Sequence, residues 1–338
     1  MLKLVIFALS FAGISCITCK DGANNPVDWF IGLKLPRNSK NNNPDIRMGT
    51  AFMYITSGFS KQWLYSTVND TKSPLRLTLQ PLYQQPPDLY LLYNDEFPNN
   101  TKSFDRGHTK GIVFANQDSG VYLIHSVPKF PPKPSDGYSY PTTGLHFGQS
   151  FFCISFNSKF INEVGMQLLI NDIFIYSARL APSLQNIYPS FVPVIAGKPS
   201  KMLNNNVTMI SKGGEMLTSF AKGPKFNQDL YSNYVAPTFK INMLAETWLN
   251  GAEPMTSECN LIYHVENVKV ETSPILEYKS SLDHSKWAIS KARDKPVVCI
   301  GDINRMKHQL VRGGGTMCIK DLNVWQLFDN IVGQVASC

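Results

Sequence analysis

Apolar and polar positions alternate over residues 28–35. Trp29, Ile31, Leu33 and Leu35 lie on one side and Phe30, Gly32 and Lys34 on the other, which predicts a strand stopped by Pro36. The polar, Asn-rich run 37–45 reads as a surface loop. Residues 111–115 and 121–127, separated by the turn sequence Asn116-Gln117-Asp118-Ser119-Gly120, predict a β-hairpin. Residues 130–136 are too proline-rich for regular structure, whereas apolar residues recur at helical spacing over 158–169. The second half repeats the grammar. It shows an alternating strand at 262–270, a second hairpin from 286–290 and 296–300, and a helical face of Leu322, Trp325, Phe328 and Ile331 near the end. Strands and helices mixed in both halves define an α+β (mixed α/β) class, and no short-period repeat suggests a solenoid.

With 338 residues and 43% hydrophobic side chains, the chain can bury a large core, which excludes a disordered or low-complexity protein. A net charge of +7 suits a polyanionic partner without proving one. Residues 1–18 read as a signal peptide: Lys3 is the charged start, 4–14 is an apolar run too short to span a bilayer well, and small residues follow. Export agrees with the cysteines. Cys16 falls within the leader, and the six that remain suit three disulfides, for which fifteen connectivities are open. Asn69, Asn99 and Asn206 head N-glycosylation sequons.

Two segments carry candidate chemistry, His108-Thr109-Lys110 and His284-Ser285-Lys286, each running into a predicted hairpin. Side chains two apart on a strand share a face, so each segment sets an imidazole beside an ammonium group. At a phosphodiester, lysine neutralises a nonbridging oxygen while histidine attacks phosphorus or moves a proton. The run Arg312-Gly313-Gly314-Gly315 offers either backbone N–H groups for a phosphate or a loop needing positive φ. His146, His264 and His308 stand outside any motif and read as structural or surface residues. There is no HExxH, paired CxxC or EF-hand pattern, so no metal site and no cofactor are expected.

The chain resembles the deoxyribonuclease II family along almost its whole mature length. The resemblance is carried by PVDWF at 26–30, KLP at 34–36, LQPLY at 79–83, LLYND at 91–95, RGHTKG at 106–111 and HSVPKFPP at 125–132. It continues with SFAK at 219–222, DLY at 229–231, DHSKW at 283–287, GDINR at 301–305 and RGGGT at 312–316. One departure is Ala288, where the family carries cysteine. The resemblance implies a phospholipase D-like pseudo-dimer of two sheet-and-helix halves, about 19–180 and 181–338, with the active site between them. It further implies acid, metal-independent cleavage of DNA to 3′-phosphate and 5′-hydroxyl ends, in a secreted or lysosomal setting. His108, Lys110, His284 and Lys286 would form the catalytic set, with His108 favoured as nucleophile and His284 as acid, the reverse order being left open. His125, Asp302 and Asn304 would support them, His125 by touching phosphate or orienting His108. The implied bridges are Cys19–Cys153, Cys259–Cys338 and Cys299–Cys318. The partner would be mainly double-stranded DNA gripped by its backbone, with no membrane span. Two rivals are a phospholipase D-like phosphodiesterase acting on lipid and a noncatalytic secreted nucleic-acid-binding or interaction protein. The run of motifs favours DNA over lipid, and the four intact residues disfavour a binder.

Overall fold

The computed structural model describes residues 16–338, so most of the expected signal segment lies outside the described residues. The architecture is α+β, rich in sheet and sparing in helix, and it is built on two large sheets. The first runs, in spatial order, through Ile175–Leu180, Leu89–Asn94, Lys110–Ala115, Ser119–His125, Gln149–Asn157, Trp29–Lys34, Ala51–Thr56 and Phe59–Thr67. The second runs through Asn204–Ile210, Met216–Lys222, Gly314–Ile319, Val298–Gly301, Trp287–Ser290, Met243–Glu246, Val265–Ser273 and Leu276–Lys279. Val332–Ala336 adds to Val265–Ser273. All neighbours in these orders pair antiparallel except Met243–Glu246 with Val265–Ser273, which is parallel.

The alternation at 28–35 does not separate core from solvent, because Trp29–Lys34 is buried on both faces. Trp29, Ile31, Leu33 and Leu35 enter a core shared with the second sheet, and Phe30 enters a separate core behind the first. The shared core is closed by Ser158–Ile170, which packs on strands of both sheets, and by Leu322–Asp329, which touches Phe59–Thr67, Trp287–Ser290 and Val298–Gly301. Asp321 caps the latter helix, its carboxylate accepting the Val324 N–H at 2.9 Å. Val324, Trp325 and Phe328 face inward, whereas Leu322, expected on that face, is exposed.

Both hairpins form, as Lys110–Ala115 with Ser119–His125 and Trp287–Ser290 with Val298–Gly301. The strand expected at 262–270 lies at Val265–Ser273, leaving Ile262 in solvent. The polar run 37–45 ends in a short helix, Pro44–Met48, because Asn43 caps it and Pro44 suits a first helical position. Disulfides join Cys19 to Cys153, Cys259 to Cys338 and Cys299 to Cys318, the pairing that the resemblance implied. Asn69, Asn99 and Asn206 are all exposed.

Phe328 sits edge-on between Trp63 of the first sheet and Trp287 of the second, with ring centroids 5.6 and 5.4 Å away. Phe328→Ala should therefore lower unfolding free energy by about 3–5 kcal/mol, as loss of a buried aromatic does. Denaturant unfolding followed by tryptophan fluorescence checks this; a loss below about 1 kcal/mol would show that the helix is not the joint between the sheets.

Candidate active site

The two His-x-Lys segments stand at matching places, each just ahead of or entering the first strand of its hairpin. Each histidine is tied by its main chain to the other sheet. The His108 N–H donates to the Gly313 carbonyl at 2.9 Å, and the His284 N–H donates to the Gly148 carbonyl, also at 2.9 Å. Gly148 must be glycine, because a Cβ there would fall 2.2 Å from Asp283 Oδ1. Two buried lysines brace the segments that carry these carbonyls. Lys34 Nζ donates to Leu145 O at 2.9 Å, and Lys222 Nζ donates to the carbonyls of Gln309, Leu310 and Arg312 at 3.1, 2.8 and 2.7 Å. Burial lowers their pKa values to about 7 for Lys34 and about 8 for Lys222, against the pull of Asp283 and Asp229 respectively.

His108, Lys110, His284, Lys286 and Asn304 line one cavity of about 330 Å³. His108 Nδ1 lies 2.7 Å from the main-chain oxygen of Asp302. A carbonyl can only accept, so Nδ1 carries the proton and Nε2 keeps its lone pair. Nε2 is 3.4 Å from Asn304 Nδ2 and 3.6 Å from Asp95 Oδ2. Asp95 also pairs with Lys110 and, at 3.4 Å, with Arg312. Although burial opposes ionisation, Lys110, His108 and Arg312 hold the Asp95 carboxyl well below the usual carboxylate range.

Asp302 orients His108 through its backbone; its carboxylate turns away to accept the Gly315 N–H at 3.0 Å, and burial raises its pKa to about 7. His125 lies near Lys110 but does not line the cavity. Its ring is fully buried beside Phe130 and Phe151, and Nδ1 accepts the Val127 N–H at 3.2 Å. A phosphate cannot reach it there. The glycines of 313–315 correct the expectation of positive φ. None has positive φ, and the Gly315 N–H serves Asp302 rather than an open phosphate site. They are small because neighbours press close: a Cβ on Gly313 would meet Asn171 O at 2.0 Å.

The sequence reading missed Asp95, which stood in a quoted motif without a role, and Arg312, noticed only as the start of the glycine run. It also missed Phe147 and Trp248, which contact the His284 ring, and placed His308 among incidental histidines although it lines the cavity. Behind His284, carboxylate oxygens of Glu246, Glu271 and Asp283 lie within 4.8 Å of one another, a spacing that could hold a cation. Asp283 is occupied with the Ser285 N–H and Oγ, and Glu271 accepts from Tyr278 at 3.0 Å, so bound protons suit the cluster better. Burial, and then the neighbouring carboxylates, push Glu246 and Glu271 well above the usual range.

Two imidazoles and two ammonium groups share one cavity, an arrangement whose chemistry could act on an anionic ester. The chain belongs to the deoxyribonuclease II family, a family of nuclease hydrolases, and the family pattern matches residues 18–338. It is 35% identical to human deoxyribonuclease-2-beta, with 98% of this chain and 96% of the human protein covered. It is 34% identical to plancitoxin-1 of Acanthaster planci, over 100% of this chain and 97% of that protein. Pig deoxyribonuclease-2-alpha is 33% identical, over 99% and 94%.

The carboxyl cluster makes stability pH-dependent. A carboxyl whose folded-state pKa is raised takes up a proton on folding. Its stabilising share is full below the unfolded value of roughly 4.3 and is lost as pH rises through the folded value. The wild type should thus lose more stability between pH 5 and pH 8 than Glu246→Gln/Glu271→Gln, whose amides do not titrate. Equal slopes in thermal unfolding across that window would refute the assignment.

Proposed function

We propose that the protein is an acid endonuclease that hydrolyses DNA without a metal, leaving 3′-phosphate and 5′-hydroxyl ends. The observation that carries this reading is the His108 tautomer, with Nδ1–H spent on the Asp302 carbonyl and Nε2 presenting a lone pair in the cavity shared with Lys110, Lys286 and His284. His108 Nε2 attacks phosphorus while both lysines take charge from the nonbridging oxygens. The P–O5′ bond breaks and the leaving oxygen receives its proton from His284. Neutral His284 then accepts a proton from water as that water attacks the phosphohistidine, releasing the 3′-phosphate and restoring His108. The charge that His108 acquires on phosphorylation is matched by the Asp302 carbonyl and Asp95.

Acid dependence follows from charge crowding. Burial first, then Lys286, Lys110, His108 and Lys34, lower the pKa of His284 to about 2 in the free protein. His108 is likewise held well below its ordinary value by burial and Lys110, with Asp95 opposing. Loading the proton donor therefore needs both substrate phosphate and an acidic medium. Lys286, brought to about 7 by burial and Lys110, loses its charge above neutrality and removes phosphate binding as well.

We read the molecule as a phospholipase D-like pseudo-dimer with halves of about 19–180 and 181–338. Five strands support it. Leu89–Asn94, Lys110–Ala115, Ser119–His125, Gln149–Asn157 and Trp29–Lys34 follow one another in the first sheet. Met243–Glu246, Trp287–Ser290, Val298–Gly301, Gly314–Ile319 and Met216–Lys222 do so in the second, antiparallel throughout. The substrate is mainly double-stranded DNA held by phosphate contacts, consistent with the net charge of +7. Among the described residues no helix is long and apolar enough to cross a membrane. Secretion or lysosomal delivery, with glycans on Asn69, Asn99 and Asn206, is supported by the leader pattern and the three disulfides.

His108→Ala and His284→Ala should each cut plasmid cleavage at pH 5 by at least about 100-fold, and the double variant should be little worse, because residues acting as a unit are not additive. Cleavage by the wild type should persist in excess chelator and leave ends that block polymerase extension until a phosphatase treats them. Near-normal activity in either variant, or arrest by chelator, sinks the mechanism.

A further inference from the structure

Counting along the paired scaffolds brings out a contrast between the two histidines. Arg312 precedes Gly313, whose carbonyl holds the His108 N–H; Phe147 precedes Gly148, whose carbonyl holds the His284 N–H. Asn94 faces Lys110, so Asp95 is one residue past the partner of the first lysine. Glu246 faces Trp287, and the same register carried one step sets Thr247 against Lys286 and puts Trp248 at the place of Asp95. The two positions that hold the ion pair Asp95–Arg312 around His108 thus hold an aromatic pair around His284.

The aromatic pair is in close contact with the imidazole. Phe147 stacks parallel to the His284 ring at 4.6 Å between centroids and 9° between planes. Trp248 meets it edge to face at 3.9 Å and 82°, and the two aromatics contact each other at 4.8 Å. Among the described residues no polar group hydrogen-bonds either nitrogen of His284, so ring contacts rather than a hydrogen bond set its orientation. Burial and the neighbouring ammonium groups of Lys286, Lys110 and Lys34 dominate its electrostatics, while the nearest carboxyls, those of Asp283, Glu246 and Glu271, are clustered with one another.

We propose that Phe147 and Trp248 are positioning residues that make His284, rather than His108, the proton donor. This rests on the reading of His284 as general acid and deepens it. Aromatic π-electrons attract a cation without accepting its proton. They stabilise the imidazolium once phosphate has drawn a proton in, yet leave that proton free to pass to the 5′ oxygen. A carboxylate at the same place would hold the proton and weaken the acid. At His108 the requirement is opposite: a lone pair before attack and a compensated charge after it, which Asp95 supplies.

The test compares DNA with thymidine 3′-(4-nitrophenyl phosphate), whose leaving group departs unprotonated and needs no acid. Phe147→Leu and Trp248→Leu should each lower kcat on an oligonucleotide by about 10-fold, the scale of a lost cation–π contact, and change the burst rate of nitrophenol release from the ester by less than about 2-fold. With less stabilisation of the imidazolium, the alkaline limb of the kcat profile on DNA should move to lower pH, and Phe147→Tyr and Trp248→Phe should restore it. Thermal midpoints close to wild type exclude unfolding, since both rings are only partly buried. Equal losses on both substrates, or an unmoved pH limb, overturn the proposal. His284→Ala tests the underlying reading separately. It should lose DNA cleavage yet still release one equivalent of nitrophenol from the ester in a burst, since only hydrolysis of the phosphohistidine then lacks its base; absence of that burst would make His284 the nucleophile, and the proposal would fall with it.

Discussion

The site depends on a pair of main-chain hydrogen bonds that cross between the sheets, from His108 N–H to Gly313 O and from His284 N–H to Gly148 O. Each of these histidines belongs to one sheet but takes its position from a segment of the other. The cavity therefore exists only when both sheets are folded and docked. The core shared by the sheets, with Trp63, Phe328 and Trp287 in contact across it, supplies the stiffness that such a construction needs. Lys34 and Lys222 extend the constraint outward, since their buried ammonium groups neutralise carbonyls on the segments that end in Gly148 and Gly313.

That arrangement concentrates positive charge where water is scarce. Lys110, Lys286, Lys34 and Arg312 lie near the two imidazoles, and burial depresses Lys34, Lys286, Arg312 and both histidines. Asp95 is the counterweight on the cavity wall, and burial pushes the pKa values of the Glu246 and Glu271 carboxyls well above the usual range. Such a site favours an anion on electrostatic grounds.

Much of this was legible in the residues. Two hairpins were marked by alternation and turn chemistry, and the His-x-Lys spacing set imidazole and ammonium side by side. Other parts were not. The helix Pro74–Gln84 escapes a periodicity reading because Pro81 lies inside it. Asp95, Arg312, Phe147 and Trp248 lie at strand ends or in loops, where no period applies, and they meet the histidines only through pairing across distant sequence. His125 misled for the converse reason: it follows a motif pattern, yet the strand Ser119–His125 is buried on both faces, so its ring had nowhere to go but the core.

In the proposed mechanism identical surroundings would leave both histidines equally suited to attack and to proton donation. One must be neutral and the other charged at the same instant, and a symmetric field cannot prefer either assignment. The main-chain bonds keep the symmetry, since both histidines use the same kind of carbonyl at the same distance. Side chains break it. His108 has an Nδ1–H fixed on Asp302 O and an ionised carboxylate 3.6 Å from Nε2, so developing positive charge on that ring is compensated. His284 has neither, only aromatic rings and unspent nitrogens. The backbone thus brings two similarly bonded imidazoles to one cavity, and in the proposed mechanism the four side chains beside them separate attack from proton donation.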